Sequence, residues 1–155
     1  MMRSVLFYHY YQEVDLTIGV DEKGISAVDW GEQVFAGAEK QTELTDEAYR
    51  QILDYLQGKR KSFELPLSLA GTPFQKKVWK RLLAIPYGET CSYGTIAHEL
   101  KDKGGARAVG MACNKNPIAI IVPCHRVVGS DGKLVGYAGT IAMKQKLLDI
   151  EQKFK

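Results

Sequence analysis

Apolar residues occupy every second position from Val14 to Val20, and polar or small residues fill the positions between them. A period of two residues is typical of a β-strand with one buried face. The Asp-Glu-Lys-Gly sequence at 21–24 predicts a turn, and the stretch from Ile25 to Trp30 predicts a returning strand. Together with the aromatic run from Leu6 to Tyr11, these segments predict a small antiparallel sheet.

A helical period replaces this alternation after residue 44. Thr45 is in position to cap a helix, acidic residues follow in the first turn, and Gly58 ends it. The predicted apolar face comprises Ala48, Tyr49, Ile52, Leu53 and Leu56. A helix on a small sheet predicts an α+β scaffold domain over residues 1–66, without a recognisable catalytic cluster. The sequence at 59–66, which begins with three basic residues and ends in Leu-Pro, predicts the link to a second domain over 67–155.

The second domain is predicted to be mainly helical. Thr72-Pro-Phe-Gln75 is a capping box with proline at the first helical position, which predicts a helix up to Ile85. Ser92 can cap a short helix from Tyr93 to Leu100, and a glycine-bearing turn precedes another helix over about 106–113. This arrangement predicts a winged-helix-like helix-turn-helix, although a plain αα-hairpin has the same outline.

Small residues surround a single arginine in the last of these helices, Ala106-Arg-Ala-Val-Gly-Met-Ala112. Such a helix face could lie close to a sugar–phosphate backbone with Arg107 projecting, which favours DNA binding over the hairpin interpretation. The charge distribution agrees. Residues 1–66 carry 7 basic and 12 acidic side chains, whereas residues 67–155 carry 14 and 6. A basic domain on an acidic scaffold is typical of polyanion binding, although lysine-rich solvated helix faces give similar counts.

The overall composition is that of a globular protein, with 155 residues, 45% of them hydrophobic and 25% charged. No apolar stretch approaches membrane-spanning length, so we expect a cytoplasmic protein without a membrane partner. The three cysteines, Cys91, Cys113 and Cys124, form no Cys-x-x-Cys pair, and the three histidines complete no metal pattern. We therefore expect neither a disulfide framework nor a metal site.

Cys124 and His125 follow Pro123 at the end of an apolar run, Ile118 to Val122, that predicts a strand. A free thiol is only a few per cent thiolate near neutral pH, so a nucleophilic cysteine needs a neighbouring base, which a histidine can supply. Adjacent residues on a strand point to opposite faces, however. The dipeptide by itself therefore favours a buried cysteine beside a surface histidine over a catalytic pair.

The chain closes with a glycine-rich loop at 129–139 and a helix that starts near Thr140. Lys144, Leu147, Leu148 and Glu151 share one face of that helix, at spacings of three and four. A carboxylate on an apolar face requires a partner such as histidine or arginine. Glu151 is thus a candidate to pair with a basic side chain inside the domain.

Taken in order, the segments of the second domain closely resemble the O6-alkylguanine-DNA alkyltransferases, over about residues 72–151. The matching motifs are Pro73-Phe-Gln-x-x-Val-Trp79, Ile85-Pro-Tyr-Gly-Glu-Thr90, Ser92-Tyr93, Ala106-Arg-Ala-Val-Gly110, Asn116-Pro117, Pro123-Cys-His-Arg-Val127 and Gly136-Tyr137. Residues 1–66 share only the general α+β plan of that family's N-terminal domain. The resemblance implies direct-reversal DNA repair by a protein that acts once and uses no cofactor.

The resemblance also implies roles for individual residues. Cys124 is expected to accept the alkyl group from guanine O6, and from O4-alkylthymine as well. His125 is expected to act as general base through a water molecule, with Glu151 orienting it. Tyr93 would donate a proton to the departing purine, and the amide of Asn116 would tie two backbone segments together.

On the DNA side, the resemblance implies a monomer that flips the damaged base out of the duplex. Arg107 is expected to fill the vacated space, while Ala106, Ala108 and Gly110 permit close approach in the minor groove. Ser92 and Tyr93 are expected to contact DNA as well.

The expected guanine pocket is formed by Gly136, Tyr137 and Ala138, with the carbonyls of Cys124 and Val127 accepting from the exocyclic amine. Three departures from the family pattern are evident. Met111 stands where a small residue is expected, Asn114 replaces a frequently basic residue, and the zinc ligands of some members have no counterparts.

Three other classes of function are less consistent with this sequence. Alkyltransferase-like proteins bind lesions without chemistry, but they carry tryptophan in place of the acceptor cysteine. A transcription regulator that is switched by alkylation of Cys124 would need an effector or dimerisation domain, which the sequence does not indicate. A cysteine hydrolase would have no use for the arginine-bearing helix.

Overall fold

The computed structural model describes residues 4–137 and 139–155. The chain forms two compact units, the first ending at Gly71 and also including Pro117–Ile121, the second comprising Thr72–Asn116 and Val122–Lys155. The sequence pattern predicted a domain boundary after residue 66. In the structure, residues 67–71 and 117–121 also group with the first unit. Within the described ranges, no helix is long and apolar enough to cross a membrane.

A four-stranded sheet forms the first unit, with strands β1 (Phe7–Tyr11), β2 (Leu16–Val20), β3 (Ile25–Trp30) and β4 (Ala38–Glu39) in the order β3-β2-β1-β4. The first three strands are antiparallel, as predicted. β4 joins β1 in parallel, so the sheet is mixed rather than purely antiparallel. A strand of two residues has no periodicity, which is why the sequence pattern did not indicate it.

β2 is buried along its whole length, although its alternation predicted one solvent-facing side. The Thr17 hydroxyl donates to the Gly31 carbonyl at 2.7 Å and accepts from the Gln33 backbone amide at 2.9 Å. A Cβ on Gly19 would lie 3.0 Å from the Val5 side chain. The polar and small positions of β2 therefore face other chain segments instead of water.

Helix α1 (Glu43–Leu56) begins three residues earlier than predicted, because its N-cap is Thr42 and not Thr45. The Thr45 amide donates to the Thr42 hydroxyl at 3.1 Å, and the Thr42 amide donates to the Thr45 hydroxyl at 2.8 Å. This is a capping box with threonine at the position that glutamate or glutamine usually fills. Gly58, at φ 77°, follows the end of the helix as expected.

The second unit contains helices α2 (Pro73–Leu83), α3 (Tyr93–Leu100), α4 (Gly105–Asn114) and α5 (Ile141–Lys153), with a parallel pair of short strands, β5 (Cys91–Ser92) and β6 (Val127–Val128). Thr72, Ser92 and Thr140 cap three of these helices, which confirms the predicted starts. The turn between α3 and α4 begins at Lys101, which adopts a left-handed conformation with φ 54°.

Contacts from α2 fix the positions of the helix-turn-helix. The indole nitrogen of Trp79 donates to the carbonyl of Ala112 on α4 at 2.9 Å. Arg81 forms a bidentate ion pair with Glu99 on α3, with N–O distances of 2.5 and 3.2 Å. The buried indole thus anchors the C-terminal part of α4 to α2, and Ala106 and Arg107 remain exposed.

The predicted strand at Ile118–Val122 is wrong. Only a single bridge to Val28 forms there, and the residues on either side of Ile120 (φ 70°) are joined by an N–H···O bond of 2.8 Å, a tight γ-turn. A second tight turn at Pro123 leads into a 3₁₀ helix, Cys124–Arg126. The apolar residues of this segment are buried without strand pairing, so burial alone accounts for the β-branched pattern.

Candidate active site and nucleic-acid interface

The thiol of Cys124 lies inside the second unit, with 3% of the residue exposed. The Asn116 side-chain amide donates to the Cys124 sulfur at 3.3 Å and to the Val122 carbonyl at 2.8 Å. Burial raises the pKa of Cys124, and the hydrogen bond from Asn116 and the nearby Lys144 offset part of that rise. The resting side chain is therefore a neutral thiol held in a fixed position.

His125 is fully buried and bonds through Nε2 to Oε2 of Glu151 at 2.7 Å. A carboxylate accepts hydrogen bonds, so Nε2 carries the proton and Nδ1 carries the lone pair. Burial lowers the pKa of His125, although Glu151 works in the opposite direction. The imidazole is thus a neutral base with a defined tautomer.

Glu151 also accepts from two other donors. The Gly88 amide lies 3.0 Å from Oε1, and the Arg126 guanidinium approaches at 2.9 Å from Nε and 3.1 Å from Nη2. Arg126 in turn donates to the Ile85 carbonyl at 2.7 Å and lies over the Tyr87 ring at 5.7 Å. A buried charge pair is stable only when its remaining polar atoms find partners, and these contacts supply them.

A second buried cluster surrounds the ammonium group of Lys144, which is 0% exposed. The ammonium donates to the Tyr93 hydroxyl at 3.2 Å and to the carbonyls of Val135 and Gly136 at 3.1 and 3.3 Å. The Tyr93 hydroxyl donates to the Val135 carbonyl at 2.9 Å. Burial lowers the pKa of Lys144 and raises the pKa of Tyr93. The cluster joins α3 and α5 to the loop before residue 138.

The outer face of α4 carries Arg107 and Ala106, both exposed, while Ala108 and Gly110 are half-buried. A Cβ on Gly110 would lie 3.9 Å from the Tyr93 ring, an ordinary van der Waals distance, so this position faces α3. The helix has no side-chain N-cap. Its exposed surface therefore combines the Arg107 cation with small side chains, as the sequence predicted, and with the larger side chain of Met111.

The residues predicted for the guanine pocket lie on two segments. Val127 is buried in β6, where it pairs with Cys91, and Gly136 adopts φ 52° in the loop. Tyr137 is half-buried, and Ala138 lies outside the described residues. Ser92 caps α3 by accepting from the Thr95 amide at 3.0 Å. Among the described residues, no three His, Cys, Asp or Glu side chains are grouped to hold a metal ion.

Family models match nearly the whole chain. The DNA-binding domain of 6-O-methylguanine DNA methyltransferase matches residues 73–153, and its ribonuclease-like domain matches residues 6–69. A methylated-DNA–protein-cysteine methyltransferase of Methanosarcina barkeri is 44% identical over 158 aligned residues, covering 92% of this chain and 97% of that protein. The chain belongs to the 6-O-methylguanine DNA methyltransferase family.

Two further comparisons place the chain within the 6-O-methylguanine DNA methyltransferase family. A methylated-DNA–protein-cysteine methyltransferase of Mycobacterium bovis is 55% identical over 105 residues, which cover 68% of this chain and 64% of that protein. The crystal structure of Mycobacterium tuberculosis OGT in complex with DNA superposes with a TM-score of 0.88 at 41% identity. That match covers 96% of this chain and 94% of the mycobacterial chain.

The sequence pattern anticipated part of this methyltransferase site. The expectation that Glu151 pairs with histidine or arginine is confirmed, since it bonds to both His125 and Arg126. The Gly88 amide and the anchoring contacts of Lys144 were missed. Lys144 could have been suspected, because a lysine on the same helix face as Leu147 and Glu151 requires polar partners when that face is buried.

The lowered pKa of His125 makes the stability of this family member depend on pH. The unfolded chain takes up a proton near pH 6.5, whereas the buried imidazole resists protonation. The contribution of His125 to the unfolding free energy should therefore be constant above about pH 6.5 and should fall as the pH drops below that value. Urea unfolding between pH 7.5 and 5.5 measures this effect.

The matched control for the slope of the pH series is His98→Gln, which removes an exposed imidazole instead of the buried one. His125→Gln should reduce the dependence of the unfolding free energy on pH. Stability that rises as the solution is acidified from pH 7.5 to 5.5 would contradict a neutral buried imidazole.

Proposed function

We propose that this protein repairs duplex DNA directly by transferring the alkyl group of O6-alkylguanine to the sulfur of Cys124, once per molecule. The observation that carries the proposal is the buried thiol, followed in the chain by a buried His125 bonded to Glu151, in the same unit as the helix-turn-helix. Methyltransferase activity on methylated DNA is the activity named for its relatives, and the matching mycobacterial structure contains DNA.

The first chemical requirement is a thiolate. Since burial raises the pKa of Cys124, the thiol does not ionise unaided at neutral pH. His125 is suited to remove the proton through a bridging water, because its pKa is lowered and its Nε2 proton is committed to Glu151. The carboxylate then stabilises the imidazolium that forms. Asn116 holds the sulfur in position during this step.

The alkyl transfer is an in-line displacement. The Cys124 thiolate attacks the alkyl carbon, a carbon–sulfur bond forms, and the bond from that carbon to O6 breaks. The electron pair of the broken bond passes to the guanine, which takes a proton from Tyr93 as it leaves, and the Lys144 ammonium, 3.2 Å from the Tyr93 oxygen, stabilises the phenolate that remains. In the resting protein the Tyr93 proton is donated to Val135, so base binding must exchange that partner for the purine. The product is a thioether at Cys124, so each protein molecule reacts only once.

The alkylated base can reach Cys124 only after it has left the base stack. Arg107 is exposed on α4 and is suited to occupy the vacated space, while Ala106, Ala108 and Gly110 allow the helix to approach the minor groove. Ser92, at the start of α3, adds a contact to the backbone. The excess of basic residues in the second half of the chain supports attraction to the phosphates.

The guanine pocket in this proposal is lined by Val127, Gly136 and Tyr137, while Ala138, also predicted for it, lies outside the described residues. Lys144 supports the loop by binding the carbonyls of Val135 and Gly136. A fixed loop offers the flipped base a preformed wall, which lowers the ordering cost of binding. Lys144 is thereby a positioning residue in the proposed mechanism.

Several finer features belong to the same proposal. We infer action on O4-alkylthymine as well as O6-alkylguanine, a monomer in solution and a cytoplasmic location. The first half of the chain, up to about residue 66, serves as a scaffold domain, and residues 67–155 hold the DNA-binding and acceptor functions.

The test is a single incubation with a duplex that contains O6-methylguanine. The protein mass should rise by the exchange of one hydrogen for one methyl group, and peptide mapping should locate the methyl on Cys124. The extent of reaction should stop at one methyl per chain, however large the excess of DNA. Tight lesion binding with an unchanged protein mass would refute alkyl transfer and favour a protein that only marks lesions.

A further inference from the structure

Met111 is 63% exposed on α4, where it is the largest apolar side chain of the helix's outer face among the described residues. The buried face of the helix is supplied by Val109, Ala112 and Cys113. Met111 is therefore not part of the core. Methionine is flexible and polarisable, which suits it to irregular contact surfaces.

Met111 follows Arg107 by four positions, which is about one helical turn. Lys115 follows Met111 by another four positions and therefore lies along the same side of the helix. Side chains of a helix lean toward its N-terminus, so Met111 covers the surface beside Arg107. The neighbour on this face is the small Ala108, so the methionine projects beyond the helix surface. A large apolar group thus stands between two cations on the proposed DNA-binding face.

We propose that Met111 is a second minor-groove residue, an apolar wedge that packs against sugars and base edges next to the space filled by Arg107. This inference rests on the proposed function of α4. Proteins that bind the minor groove commonly insert apolar side chains, methionine among them, beside base steps that they open. The flanking cations at Arg107 and Lys115 match the phosphates on either side of such a contact. Met111 supports the open state of the duplex and takes no part in the chemistry at Cys124.

The test compares methyl transfer from duplex DNA with benzyl transfer from free O6-benzylguanine base. Met111→Ala should slow duplex repair about tenfold, since the buried area of one methionine side chain is lost. The reaction with the free base should be unchanged, which also shows that the variant is folded. Met111→Leu should retain most of the duplex rate.

Leu83→Ala provides the matched control, because Leu83 is an exposed apolar residue, 43% accessible, on a different helix, α2. It should leave both rates unchanged. Duplex repair by Met111→Ala at or above the wild-type rate would overturn the wedge and would make Met111 a spacer that limits approach.

The two proposals fail in different ways. Wild-type protein that takes no methyl group from the duplex refutes the proposed function. Normal transfer by the wild type, with a slow Arg107→Ala variant and an unaffected Met111→Ala variant, refutes only the wedge.

A readout before chemistry sharpens the test. In a Cys124→Ser background, 2-aminopurine placed beside the lesion should fluoresce more strongly when the duplex is opened, and Met111→Ala should reduce that increase. An unchanged increase would overturn the wedge.

Discussion

Cys124→Ser should abolish methyl transfer while leaving affinity for lesion-containing duplex within about twofold, because the sulfur makes no contact with DNA until the base has been flipped. A serine hydroxyl has a much higher pKa than a thiol and is a weaker nucleophile toward alkyl carbon. The substitution is nearly isosteric, so the Asn116 amide can still donate to the side-chain oxygen. Mass spectrometry after incubation with O6-methylguanine duplex measures transfer, and fluorescence anisotropy measures binding.

The matched controls for this experiment are the other two thiols. Cys113 is buried with its pKa raised to about 12, and Cys91 is half-exposed near the Arg81 guanidinium. Serine at either position should leave the stoichiometry at one methyl per chain. Residual methylation of the Cys124→Ser protein, or loss of transfer in Cys91→Ser, would show that the acceptor has been assigned to the wrong sulfur.

Glu151→Ala should strongly destabilise the second unit. It leaves the Arg126 guanidinium buried without its counter-charge and removes the acceptor for the His125 Nε2 proton and the Gly88 amide. Breaking a buried ion pair on one side costs about 3–5 kcal/mol. Urea unfolding at pH 7.5 measures this loss, and single-turnover kinetics should show slow transfer in the fraction that remains folded.

Glu151→Gln distinguishes the effect of losing the charge from the effect of losing side-chain volume. Its amide fills the same space but lacks the charge that Arg126 requires, so most of the destabilisation should persist. Asp149→Ala is the control, since Asp149 is an exposed carboxylate two residues earlier on α5. A glutamine variant as stable as the wild type would show that packing, and not charge, holds this part of the protein together.

Local sequence rules predicted most helix limits of the second unit. Thr72, Ser92 and Thr140 each cap a helix through their own side chains, and such bonds depend on residues only three positions away. The same rule failed at α1, where Thr42 and Thr45 both offer a hydroxyl and only the folded chain shows which one is the cap. Capping is thus predictable where one candidate is present and ambiguous where two are.

Apolar periodicity was less reliable where tertiary contacts bury both sides of a segment. The alternation of β2 predicted an exposed face, but chain segments that lie far apart in sequence cover it. The β-branched run at Ile118–Val122 predicted a strand and forms tight turns instead. β2 is the predicted strand with both faces buried, whereas the Ile118–Val122 segment is buried without strand pairing, because an apolar pattern reports burial and not hydrogen bonding.

The sequence by itself determined the order of the elements, the charge asymmetry, the family resemblance and the residue types of the candidate site. The resemblance already implied the pair of His125 and Glu151, but the contacts of Lys144 and of the Gly88 amide became evident only in the tertiary structure. His125 and Glu151 are separated by 26 positions, and Lys144 and Tyr93 by 51, so no local pattern links them. The pKa shifts of His125, Lys144 and Tyr93 have the same origin, because burial and charge proximity arise when distant segments pack together.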